Sequence, residues 1–340
     1  MNAVIEKISM LLKHPFVSGK EALVLPDCFC AEKDEIGNLI LRKKGKGKNK
    51  KTVLFEAHLD EIGLCITEVL EGGLLKATPC GGLSPDSVPG SVFEVHGKKK
   101  ITAVGAFLPP HLKKLRDQKS DIEILLDTGI LTKKELSSLV SVGDVATFEP
   151  RLLSLRGDRI CSRGLDNRAS VCALLLAYES IQETENDLIF LFSVGEETGS
   201  RGARAFCSAE SVDVAVILDA GFAHQEGLDP GRCIRCEEGP SVSYTDTLSL
   251  KAIDWVVKAA RDKNLPLQIL AEPGGTGTSA TATQITGGGI PSVVVSIPVF
   301  NMHSASEIVS CRDIADTVRL IRALADSKDL PPKEVNVLAL

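Results

Sequence analysis

Aromatic residues are scarce in this chain: one Trp, two Tyr and eleven Phe among 340 residues. That poverty argues against base-stacking platforms and against a glycan cleft paved with Trp and Tyr. A basic surplus is also missing. Lys and Arg total 39 against 45 Asp and Glu, a net charge of -6, which does not suit a general nucleic-acid binder. No run of ~18 apolar residues exists, so no membrane span is expected. Glu6, Lys7 and Lys13 interrupt the N-terminal apolar positions and break any signal-peptide core. Nor do the ten cysteines cluster into a compact disulfide framework. They read as reduced thiols of a cytoplasmic protein. Cys233 and Cys236 form a single CxxC, a weak zinc signal without a second pair.

What is present is enough apolar material for one large core or two modest ones, at 44% hydrophobic. Residues 3–13 have a helical pattern, and strands fit 36–42 and 52–57. Between these strands lies KKGKGKNKK. It reads as a solvated hairpin tip rather than an anion patch, because the whole chain is acidic. Short β-type runs separated by Gly and Pro fill 63–150: GLCITEV, GLLKAT, SVFEVHG, ITAVGAF and VATFEP. Helices alternate with apolar strands afterwards. Helices are expected at 168–182, 201–210, 247–263, 277–286 and 312–326, and strands at 187–193, 213–218 and 291–297. The expected fold is an α/β sandwich on a mixed sheet, made of residues 1–62 plus 157–340, with a small β-rich, barrel-like insertion at 63–156.

Five places carry chemistry. His58-Leu59-Asp60 ends the strand TVLFEA, and residues two apart share a side of a strand. A strand-end histidine can equally be a structural hydrogen-bonded residue. Asp166 precedes the apolar helix ASVCALLLAYES, where a plain N-cap is the simple alternative. Glu196 and Glu197 follow the buried strand LIFLF directly. Two acids there need neutralising, unless the loop is merely solvated. Asp219 closes the strand VAVIL at a sheet edge, where α/β sites gather. His303 follows the strand VVVSI. Together, His58, Asp166, Glu197, Asp219 and His303 supply two imidazoles and three carboxylates. Such donors suit zinc, cobalt or manganese. One bridging carboxylate with two further ligands per ion makes a two-metal site, and Glu196 remains free as a general base.

The motifs GKEALV (19–24), DEIGNLI (34–40), AHLDEIG (57–63), FLPPHL (107–112), SRGLDNRAS (162–170), GEETGSRGA (195–203), GGTGTSA (274–280) and MHSASE (302–307) follow one another in order. With them the chain resembles the tetrahedral aminopeptidases, a group with glutamyl and deblocking members and some relatives once labelled endoglucanases. The resemblance implies a zinc-peptidase type of phosphorylase/hydrolase-like fold and a two-metal exopeptidase that trims short peptides. It implies that His58 and Asp219 hold one metal, that Glu197 and His303 hold the other, and that Asp166 bridges them. Glu196 would be the catalytic base and Asp60 a supporting partner of His58. An inserted β-rich domain used in dimer contacts is also implied, with dimers building a hollow twelve-subunit homo-oligomer. One departure stands out: the family usually has Gly-Thr-Asp-Ala where this chain has Gly277-Thr278-Ser279-Ala280. That acid is not among the implied ligands, so the difference bears on substrate choice. The same glycines form no phosphate loop, since no Lys follows in the required pattern. The rival readings are another two-metal amidohydrolase, a carboxypeptidase or deacylase, and a catalytically weak peptide-binding scaffold. A metal-free glycosidase fits less well, because it requires a separated carboxylate pair.

Overall fold

The computed structural model describes residues 2–21, 25, 29–107 and 124–332. Parts of two quoted motifs, GKEALV and FLPPHL, lie outside them. The chain opens with helix α1 (Asn2–Leu11), which turns Val4, Ile8 and Leu11 inward. Strands β1 (Glu32–Lys33), β2 (Leu39–Lys43) and β3 (Thr52–His58) follow. Next come β4 (Gly63–Val69), β5 (Leu74–Cys80), β6 (Val92–His96), β7 (Lys100–Gly105), β8 (Ile124–Asp127), helix α2 (Lys133–Leu139) and β9 (Val145–Phe148). The remainder runs β10 (Leu153–Ser154), β11 (Arg159–Ser162), α3 (Leu165–Ser180), β12 (Asp187–Ser193), α4 (Arg201–Ala209) and β13 (Val214–Phe222). It continues through β14 (Ser241–Tyr244), α5 (Leu250–Asp262), β15 (Gln268–Ala271), α6 (Ser279–Gln284), β16 (Ser292–Val299), β17 (Glu307–Ser310) and α7 (Cys311–Ala325).

Eight strands form one mixed sheet in the order β1-β2-β12-β3-β13-β16-β14-β15. Its centre, β12-β3-β13-β16, is parallel. These four strands are nearly continuous apolar runs, buried at almost every position. Such runs belong to a sheet covered on both faces. Helices α1, α3, α5 and α7 pack together as one group and α4 with α6 as another, each against the sheet. Ser249 and Ser310 cap α5 and α7 by accepting hydrogen bonds from backbone amides of the first turn. The fold is therefore a mixed-sheet α/β sandwich.

Strands β4 to β9 close into a six-stranded barrel in the order β4-β5-β8-β7-β6-β9. It has its own core, in which Phe93 stacks on Phe148 with centroids 4.6 Å apart. A third, small sheet, β10-β11-β17, ties the chain before α3 to the chain after β16.

The basic segment at 43–51 is not a hairpin tip. β2 and β3 do not pair, because β12 lies between them. The segment instead passes over the entry to β12. Lys46 and Gly47 donate amides to the carbonyls of Thr184 and Glu185, and Lys50 pairs with Asp187 at 3.0 Å. Its positive charge meets acids on the neighbouring turn.

Candidate active site

The parallel arrangement of β12, β3, β13 and β16 brings their C-terminal ends to one edge, the usual place for an α/β site. His58 ends β3, Glu196 and Glu197 follow β12, Asp219 lies on β13 and His303 follows β16. Asp166 arrives from the start of α3. The N-cap of that helix is Gly164, and Asp166 has non-helical backbone angles. Its carboxylate caps nothing; it faces the two histidines.

Asp166 Oδ1 lies 3.3 Å from His58 Nε2, and Asp166 Oδ2 lies 3.2 Å from His303 Nε2. Asp219 Oδ1 approaches His58 Nε2 at 3.4 Å, and Glu197 Oε1 approaches His303 Nε2 at 3.3 Å. The donor atoms of His58, Asp166 and Asp219 thus form one group, and those of Asp166, Glu197 and His303 another, with all atoms of each group within 4.8 Å. Among the described residues these are the groups able to hold a metal; Cys233 and Cys236 are in neither.

The outer nitrogens decide what the inner ones offer. His58 Nδ1 lies 2.9 Å from the Asp60 carbonyl, and His303 Nδ1 lies 3.2 Å from the Gly82 carbonyl. A carbonyl only accepts, so each Nδ1 carries hydrogen. In the neutral imidazole, Nε2 then presents a lone pair to a carboxylate oxygen, acceptor against acceptor. Asp166 Oδ1 has no hydrogen-bond donor. Only a cation, or protons on the imidazoles, relieves this arrangement. Without metal, protons are the answer. Hydrogen bonds to Asp166 and Glu197 push His303 up to about 11. Burial opposes charge on His58, yet Asp219 and Asp166 outweigh it and raise its pKa well above the ordinary value. The donor set is hard oxygen plus imidazole, so the residues fit divalent zinc-type ions.

Glu196 lines the same cavity, whose volume is about 650 Å³. Burial raises its carboxyl to about 8, with Asp219 and Glu197 adding to the effect against His58. Asp60 lies behind the cluster, fully buried. Its carboxylate is 3.6 Å from His58 Nδ1 but accepts the backbone amides of Glu196 at 2.9 Å and Glu197 at 3.0 Å, and the Ser18 hydroxyl. Asp60 therefore holds the Glu196-Glu197 turn with its side chain and the imidazole with its carbonyl.

Some contributors carry little sequence signal. Glu307 is a buried carboxylate that accepts the amide of Asp166 at 3.0 Å and that of His303 at 2.8 Å. It thereby fixes His303 at a left-handed φ of 62°. Gly82, in the loop after β5 of the barrel, supplies the carbonyl to His303 and donates its amide to Glu197 Oε2 at 3.3 Å. A Cβ at Gly82 would stand 2.6 Å from His303 Nδ1, which explains the glycine. A Gly-Gly pair reads from sequence as a turn, and only the structure shows what it touches. Beside the site, Glu61 pairs with Arg163 and with Arg168 at 2.7 Å, all three buried. Burial would raise Glu61, but the two guanidiniums hold it at about 2.

This chain is similar to known proteins along nearly its whole length. It is 30% identical over 338 residues to a lysyl aminopeptidase of Pyrococcus furiosus, covering 94% of this chain and 96% of that one. The TET1 peptidase of Pyrococcus horikoshii has a similar structure, with TM-score 0.83, 30% identity and coverage of 95% of this chain and 99% of that one. An aminopeptidase from the archaeon Desulfurococcus kamchatkensis superposes with TM-score 0.87 at 26% identity, over 96% and 95% of the two chains. Residues 37–320 match the M42 glutamyl aminopeptidase family, and the chain belongs to that family of metal-dependent peptide-bond hydrolases.

Proposed function

We propose that the protein is a two-metal aminopeptidase that releases N-terminal residues from short peptides. The observation that carries this reading is the single Asp166 carboxylate turned towards two histidines, one per oxygen. His58 and Asp219 would hold one divalent ion, Glu197 and His303 the other, and Asp166 both. Zinc is the first choice, and cobalt and manganese suit the same donors. Bound there, the ions would polarise the scissile carbonyl and make water more acidic. Glu196 takes the proton of the attacking water and returns it to the leaving amine. Asp60 holds the turn that carries Glu196, and Gly82 and Glu307 hold His303.

In this reading residues 1–62 and 157–340 act as the catalytic unit, and the β-rich part at 63–156 serves association between copies. The Pyrococcus horikoshii relative can assemble into a tetrahedron or a large octahedral shell, which supports a homo-oligomer here. Among the described residues, no helix is long and apolar enough to cross a membrane. The test is hydrolysis of free and N-blocked short peptides by metal-loaded protein, with a chelated control. Release of single N-terminal residues, lost on chelation and restored by metal, is expected. Release from the C-terminus, or cleavage of blocked peptides alone, would contradict the reading.

A further inference from the structure

Strands β14 and β15 line the cavity through Ser241, Ser243 and Leu270, and the segment 275–278, which leads into α6, forms another wall. That segment has little to shape it from within. Gly274, Gly275 and Gly277 have open space where a Cβ would stand, and Gly274 and Gly277 take φ of 98° and 67°. Its position is therefore set at its ends. At one end Asp246 accepts the Gly274 amide at 2.8 Å, and the Thr247 hydroxyl donates to the Gly274 carbonyl at 3.2 Å. At the other end stands Ser279, the first residue of α6, whose hydroxyl donates to Glu56 Oε2 at 2.5 Å.

Glu56 lies on β3, two residues before His58 and so on the same side of the sheet. It is fully buried and does not itself line the cavity. Among the described residues no Lys or Arg pairs with it. Its Oε1 accepts the Ser193 hydroxyl. Ser193 is the last residue of β12 and pairs with His58 inside the parallel sheet, so it is a fixed point. Ser193 thus orients the carboxylate, and the carboxylate holds the start of α6. Only an acid does this with both serines donating, because an amide has one acceptor oxygen and an NH₂ group. A buried carboxylate without a cation is costly, and the two hydroxyls offset part of that cost. Ser279 is also the position at which the tetrahedral aminopeptidases usually carry Asp. An Asp there would set its carboxylate against that of Glu56, acceptor against acceptor. The two acids exclude each other, and this chain has its acid on β3 rather than on α6.

We infer that Glu56 is a positioning residue. Through Ser279 it sets the wall at 275–278 against which the peptide lies, and it replaces the acid that the family usually has at 279. The inference rests on the aminopeptidase reading for what the wall receives.

The test is a double-mutant cycle on the metal-loaded full chain, using the aminoacyl 4-nitroanilide that the parent cleaves fastest from a panel. Ser279→Asp brings two acids together, and Glu56→Ser removes the acceptor. Each should raise KM by about 10-fold or more, as for a lost charge-assisted contact, and change kcat far less. The double variant should return KM towards the parent, a non-additivity of about 10-fold. Glu56→Gln keeps the shape of the side chain, guards against a failure to fold, and should raise KM in the same direction. Amide hydrogen exchange across 273–284, read by mass spectrometry without substrate, should quicken in each single variant and slow again in the double. Additive losses in the double, or unchanged KM and exchange in Ser279→Asp, would overturn the inference and leave the aminopeptidase reading standing. Zinc lost in step with turnover would overturn it in favour of a role at the ions. A lower melting temperature with KM unchanged would overturn it in favour of packing alone. A parent that cleaves no member of the panel would overturn the aminopeptidase reading, and the exchange pattern would then decide whether Glu56 holds the segment.

Discussion

Two buried charge clusters meet at the adjacent residues Asp60 and Glu61 in this protein, and they are built on opposite principles. Glu61 faces two guanidiniums, Arg163 and Arg168, with Arg168 also over the Phe16 ring at 4.8 Å. Asp60 and His58 belong to the other cluster, where carboxylates converge on imidazole nitrogens and on one another, with no Lys or Arg ion pair among the described residues. The same two stretches of chain supply both. AHLDEIG gives His58 and Asp60 to one and Glu61 to the other; SRGLDNR gives Asp166 to one and Arg163 and Arg168 to the other. A cluster that neutralises itself is structural. A cluster of carboxylates met only by protons on two imidazoles, with no Lys or Arg pair, is open to a cation that arrives from outside.

Four substitutions can break or sharpen this contrast. Glu196→Gln should lower kcat by about 10²- to 10⁴-fold, the usual worth of a general acid–base group. Folding and metal content should stay at parent levels, as read by steady-state kinetics with circular dichroism and metal analysis. Near-normal turnover would remove Glu196 from its role. Glu61→Gln should cost about 3–5 kcal/mol of stability, because two buried guanidiniums lose their counter-charge. Urea denaturation measures that loss. Gly82→Ala should weaken metal binding by roughly 10- to 100-fold, typical of losing a partner that orients a ligand, because the added Cβ meets the His303 ring. The barrel would be shown idle at the site if affinity did not change. Asp166→Asn should lower metal-free stability by about 1.5–3 kcal/mol in urea, because the protonated imidazoles of His58 and His303 lose the carboxylate between them. An unchanged stability in chelator would mean that the imidazoles hold no proton when metal is absent.

The two clusters also differ in acid. Glu61 has a folded pKa of about 2 against an ordinary 4.5. A depressed folded pKa means that the unfolded chain takes up protons first. The stability contributed by Glu61 is therefore complete above about pH 4.5 and is lost as pH falls towards 2. Glu61→Gln should flatten that part of the stability profile, whereas a profile as steep as the parent's would place the acid sensitivity elsewhere.

The central strands and the five ligand-type residues were legible in the sequence for one physical reason. Buried parallel strands are apolar runs, and chemistry follows their ends, as with LIFLF before Glu196 and VAVIL before Asp219. Strands without apolar contrast left no such trace. Ser241–Tyr244 and Gln268–Ala271 are short and mixed in polarity, and they pass unnoticed although they floor the cavity. The hairpin expected at 43–51 fails because β12, some 140 positions later, inserts between its two strands; local sequence holds no sign of that. Gly82 acts through its carbonyl and Glu307 through two backbone amides, contacts that no side-chain pattern announces. Asp60 was legible as a partner of His58, but its stronger role, holding the Glu196-Glu197 turn, depends on a loop 136 residues away.

The most direct test is the number of divalent ions bound per chain, measured by elemental analysis after equilibration with zinc, for the parent and for Asp166→Asn. The two-histidine geometry around one carboxylate predicts two ions in the parent and a marked loss from both positions in the variant. A parent that binds none, or a variant that still binds two, would contradict it.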